Sequence, residues 1–111
     1  MSPMDLISID EFKKVEIRVG EVKFAERVPN TEKLLRLSVD FGSEERQVVS
    51  GIAPYFPDPA VLVGKKLAFV YNLEPRTIRG LESKGMVLAA TAEDGSFSLL
   101  EANVTPGAGV R

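Results

Sequence analysis

Apolar and polar residues alternate through several short segments, and this two-residue period sets the first expectation. In "VEIRVGEVKFAERV", Val15, Ile17 and Val19 are separated by Glu16 and Arg18, the pattern of a half-buried strand. The parity then changes. After Gly20 the apolar positions are Val22 and Phe24, followed by Val28, and a parity change at a glycine predicts a β-bulge there. A long first strand that bends lets one strand serve both sides of a small barrel. "LLRLSVDF" places Leu35, Leu37, Val39 and Phe41 on one face and Arg36, Ser38 and Asp40 on the other. "RQVVSGI" reads as a third strand, joined to the second through the hairpin loop "GSEE". "KLAFVYNL" is a fourth, with Leu67, Phe69, Tyr71 and Leu73 inward. "GMVLAATA" is a fifth, and "SFSLLE", after the "EDG" turn, a short sixth.

The segments between these strands carry other signals. "SIDEFKK" predicts a short helix capped by Ser8 or Asp10, with Ile9 and Phe12 three apart on an inward face. "VPNTEK" is a turn set by Pro29 and Asn30. "APYFPDPAVLVGKK" holds too many prolines for a strand interior, and its "PAVLVG" portion predicts one helical turn between Pro59 and Gly64. The tail "ANVTPGAGVR" reads as irregular. Five or six short strands, a bent first strand and a helical turn between the third and fourth predict an all-β fold. The five-stranded OB-fold barrel, with short helical elements and terminal extensions, is the match. Such barrels bind oligonucleotides with the strand 2–3 face and with the loops joining strands 1–2 and 4–5, here "VPNTEK" and "EPRTIRGLESKG".

The chain has 111 residues, 44% hydrophobic and 27% charged, which predicts one domain over residues 1–111 with a single modest core. No apolar run is long enough to span a membrane, and "MSPMDLISIDEF" lacks the regions of a secretory signal, so the cytoplasm is the expected location. There is no cysteine and no histidine. That removes the commonest general base, the thiol nucleophile and the two best zinc ligands, so no metal or cofactor is expected and a binding module is favoured over an enzyme. "VGKK" lacks the first glycine and the Ser/Thr of a P-loop, and Ser83 and Lys84 are strand neighbours that point to opposite faces.

Charge is unevenly spread. Residues 1–64 hold 8 basic and 11 acidic residues, residues 65–84 hold 5 basic and 2 acidic, and residues 85–111 hold 1 basic and 3 acidic. The positive charge is concentrated around Lys65, Lys66, Arg76, Arg79 and Lys84 in a chain whose net charge is −2. By charge alone this segment is either a solvated surface or a local patch for phosphates. Arginine adds a planar fork for phosphate oxygens, and the glycines at 80 and 85 permit close backbone approach. Met86, at the start of the fifth strand, is either a core residue or one that presents its sulfur to a ligand.

"FKKVEIRVGEV", "VPNTEKLLRLSVDFG", "RQVVSGIA", "LVGKK", "NLEPRTIRGLESKGMVLAA" and "PGAGV" together resemble the tRNA-binding domain of the methionyl-tRNA synthetase C-terminus. The same family includes the free-standing structure-specific tRNA-binding protein. The resemblance runs from about Ser8 to the end, in order and without a large gap. It implies an OB-fold that binds tRNA mainly by shape and backbone, without catalysis. It also implies a homodimer, with segments outside the barrel forming the interface, and a methionyl-tRNA synthetase as possible partner. The chain fits a free-standing protein, a synthetase subunit or an excised domain. Carried over by motif, the RNA-contacting residues are Asn30, Lys33 and Arg36, with Arg76, Ser83, Lys84 and Met86. Arg79 joins them by charge and position, and Lys65 and Lys66 flank them. A secretion-related peptide-binding chaperone of the same fold shares the opening motif and is the alternative. Its "PNTEKLL" stretch differs, which places this sequence nearer the tRNA-binding branch.

Overall fold

The long first run folds as one strand that changes partners along its length. The computed structural model describes residues 5–111. In it β1 (Ile17–Arg27) pairs antiparallel with β4 (Lys66–Val70) over residues 17–21 and with β2 (Leu35–Asp40) over residues 21–27. β3 (Glu45–Ser50) lies beyond β2, and β7 (Met86–Val87) beyond β4. The sheet order is therefore β3-β2-β1-β4-β7. Its two ends approach each other where the Lys84 backbone N–H donates to the Gln47 carbonyl at 2.9 Å. The result is a curled, OB-like barrel.

Strict alternation puts Leu35, Leu37, Val39 and Phe41 inside, each at most 1% exposed. Leu67 and Phe69 of β4 join them, as does Leu62, delivered by the 3₁₀ turn Pro59–Leu62 that Asp58 caps. Phe41 packs edge-on against Phe69 and Tyr71, with ring centroids 5.3 and 5.0 Å apart. Leu73, expected inward, is exposed because β4 ends at Val70.

The bulge in β1 is not at Gly20. The register shift lies between Val22 and Phe24, so Lys23 is the extra residue. Gly20 has a different reason to be glycine: a Cβ there would lie 2.4 Å from Val39 Cγ1 and 2.8 Å from Phe41. Its missing side chain is the room that the two core residues occupy. Phe24, expected on the same face as Val22, is turned outward and is 44% exposed.

The helix is a single turn, α1 (Ile9–Phe12), closed by a reciprocal capping box between Ser8 and Glu11. Ile9 and Phe12 do not face inward. The strands already fill the core, and the two side chains instead line an open apolar depression with Val15, Ile17 and Val110. Asn72 ties this corner to the barrel, accepting from Glu16 N–H at 2.8 Å and donating to the Lys14 carbonyl at 2.6 Å.

Several small strands escaped the alternation pattern. β5 (Arg76–Ile78) and β6 (Leu81–Ser83) form a hairpin inside the stretch read as a loop. β10 (Gly109–Val110), in the tail read as irregular, pairs with the start of β1. The fifth predicted strand is split into β7 and β8 (Ala89–Thr91), the latter pairing with β9 (Phe97–Leu99). Strands of two or three residues are too short to display a period. No helix among the described residues is long and apolar enough to cross a membrane. Residues 1–4, part of the segment read as lacking a secretory signal, lie outside the described residues.

Candidate nucleic-acid interface

The basic stretch folds back on itself because of two residues. Ile78 pairs with Leu81, leaving Arg79 and Gly80 as the turn, with φ of 51° and 80°. Positive φ at both central positions makes the tight turn that suits strand twist. Glycine adopts it freely, whereas an arginine there is unusual. Arg79 is thereby fixed at the hairpin tip. The loop between β1 and β2 has a matching feature: Asn30 also has positive φ, at 62°, which asparagine tolerates. That loop is held by Val28 N–H on the Leu34 carbonyl at 3.0 Å, by the Thr31 hydroxyl on the Val28 carbonyl at 2.8 Å, and by Ala53 N–H on the Lys33 carbonyl at 3.0 Å.

The two loops meet. Asn30, Lys33 and Arg79 line one shallow depression whose apolar lining is Leu34 and Ile78. Arg76 and Met86 line a second depression beside it, against Val49 and Ser50. Ile78 belongs to both. Met86 begins β7 but is 48% exposed, so its side chain is available to a ligand. Among the described residues, Lys33, Arg76 and Arg79 form no ion pair with a carboxylate. Lys84 is loosely paired, 3.7 Å from Glu82 with both side chains exposed, and Lys65 is 3.5 Å from Glu101.

Two of the sequence-derived residues are engaged inside the protein. Ser83 is buried, and its hydroxyl accepts from Val49 N–H at 2.9 Å and lies 3.2 Å from the Gly85 carbonyl. It joins the hairpin to β3. Arg36 is half-buried, with Nε 2.7 Å from Glu26 and Nη1 3.2 Å from Gln47. Gln47 in turn donates to the Glu82 carbonyl at 2.9 Å, so Arg36 also leads to the hairpin. Ser83→Ala is expected to lower stability by about 1–3 kcal/mol, because Val49 N–H loses its buried acceptor. Chemical denaturation of the variant checks this.

Two other arginines are occupied at Tyr71, just past the end of β4. The guanidiniums of Arg18 and Arg46 lie 4.2 and 3.6 Å from the centroid of the Tyr71 ring. Arg46 also donates to the Tyr71 carbonyl at 2.7 Å. The Tyr71 hydroxyl donates to Glu44. That bond, reinforced by Arg46, holds the Glu44 carboxyl below its ordinary pKa, and the same bond raises the Tyr71 hydroxyl above its own.

The comparisons with known proteins point the same way. The family model described as "Putative tRNA binding domain" matches residues 17–110. A methionine–tRNA ligase from Thermotoga maritima is 49% identical over 106 residues, which is 94% of this chain. The chain spans 16% of that ligase's length. Among solved structures, a MetRS-related protein from Pyrococcus horikoshii superposes with a TM-score of 0.91 at 47% identity, over 97% of this chain and 100% of that one. The chaperone CsaA from Bacillus anthracis superposes with a TM-score of 0.84 at 27% identity, over 96% of this chain and 100% of that one. With the two loops of an OB-like barrel converging on unpaired cations, and with its barrel matched almost end to end, the chain belongs to the tRNA-binding domain family.

Proposed function

We propose that residues 1–111 act as one non-catalytic module that binds tRNA across the loop 28–34, the outer side of β2 and the β5–β6 hairpin. The observation that carries this reading is the meeting of Asn30 and Lys33 with Arg79 in one depression. Lys33, Arg76, Arg79 and Lys84 supply contacts to phosphates, Asn30 offers both a donor and an acceptor, and Met86 lies against a sugar or base. Ser83 and Arg36 act by holding the hairpin and the sheet face in place. The module serves a methionine–tRNA ligase in the cytoplasm, as part of it or beside it. Tethering a weak RNA-binder raises the local tRNA concentration without a catalytic residue. A second copy of the chain covers the apolar depression formed by Ile9, Phe12, Val15 and Val110.

Titration of bulk tRNA by gel shift at two salt concentrations tests the reading. Affinity is expected to fall with salt at a log–log slope of about −2 to −4, from roughly three to five phosphate contacts. A sizing run on the same material tests the dimer. The likeness to CsaA favours one second reading, a peptide-binding chaperone. A flat salt response together with peptide binding would select it.

A further inference from the structure

We infer that Phe24 is a stacking platform for an unpaired RNA base, an inference that rests on the tRNA-binding reading above. The bulge in β1 is what makes the residue available. In an unbroken strand, residues two apart share a face. Val22 is fully buried, so Phe24 would follow it into the core. The extra residue Lys23 shifts the register, pairs Phe24 with Ser38 and turns the ring to the outer face, where Phe24 is 44% exposed. Bulges commonly re-aim a side chain beside a binding site.

The ring does not stand alone. The Arg36 guanidinium lies 5.6 Å from its centroid and is fixed by Glu26 and Gln47. Gln47 holds the Glu82 carbonyl, two residues before Lys84. Hydrogen bonds thus join the guanidinium to the basic hairpin on the β1–β2–β3 surface, and the aromatic face lies beside that guanidinium. A base has an apolar π-face that suits the ring and a phosphate that suits the neighbouring cations. A second exposed apolar group, at α1 and β10, meets β1 at Ile17. Seven residues of strand, about 20 Å, separate it from Phe24.

The protein has no tryptophan, so Phe24→Trp places a lone indole at the site. Its emission is expected to be quenched saturably by tRNA, in step with binding, and not by a fully paired RNA duplex. Phe24→Ala is expected to weaken tRNA binding roughly 5- to 100-fold, the range for one stacked base. Its salt slope should stay as in the wild type, because stacking releases no counterions, and it should remain folded under the binding conditions. Wild-type affinity in Phe24→Ala, or Phe24→Trp emission unmoved by saturating tRNA, overturns the inference. Emission that follows protein dilution without RNA also overturns it, since the ring would then face a second copy. A wild-type chain that fails to bind tRNA removes the parent reading as well, which separates the two failures.

Discussion

Phe69→Ala is expected to lower the stability of the protein by about 3–5 kcal/mol. Phe69 is fully buried in β4, paired across the sheet with Arg18 on one side and Val87 on the other. Its ring meets Phe41 edge-on at 5.3 Å and an interplanar angle of 78°. Truncation therefore removes apolar burial, removes an aromatic pair and leaves a cavity. The surrounding strands cannot close it, because β4 is hydrogen-bonded on both edges. A domain of this size has roughly 5–15 kcal/mol in total, so the loss is a large share of it. Urea denaturation reads the effect as a lower midpoint with an unchanged slope. A loss below about 1 kcal/mol would mean that the ring does not sit in a closed core. Phe24→Ala is the natural control: the residue type is the same, but at 44% exposure it should cost only about 1 kcal/mol.

Those two phenylalanines also mark where the sequence was legible and where it was not. A two-residue period over seven residues identifies a strand and its buried face, and Leu35, Leu37, Val39 and Phe41 are buried as that period requires. One inserted residue inverts the rule downstream. Nothing in "GEVKF" distinguishes a bulge at Gly20 from one at Lys23, so the period alone puts Phe24 on the wrong face. Ile9 and Phe12 failed for another reason. Their spacing correctly gives a shared face, but spacing cannot say whether the barrel has room beneath it. The hairpin β5–β6 is made of three-residue, mostly polar strands, and its register is set by the turn at Arg79–Gly80. At the site, the loop cations were legible as charge and position. The engagement of Ser83 with Val49 and of Arg36 with Glu26 was not, because both are contacts across the sheet or its seam.

Removing the hairpin's charges is expected to produce the largest functional effect. Arg76→Ala and Lys84→Ala should each weaken tRNA binding about tenfold or more, the range for hydrogen bonds to charged groups. Stability should stay within about 0.5 kcal/mol, since both side chains are exposed. The two losses should differ in kind. Among the described residues Arg76 has no carboxylate partner, so its removal takes away a planar fork and little else. Lys84 sits 3.7 Å from Glu82, so its removal also leaves an unbalanced carboxylate facing the phosphates. The log–log salt slope should become shallower by about one for each variant. Glu82→Gln then gives the opposite sign: with the carboxylate gone, tRNA should bind more tightly at low salt, and the advantage should fade as salt screens the site. Parallel titrations of the three variants decide the matter. If Arg76→Ala and Lys84→Ala both bind like the wild type, the hairpin is not the binding surface. If Glu82→Gln weakens binding, Glu82 acts on the RNA by accepting a hydrogen bond and not by repelling phosphate.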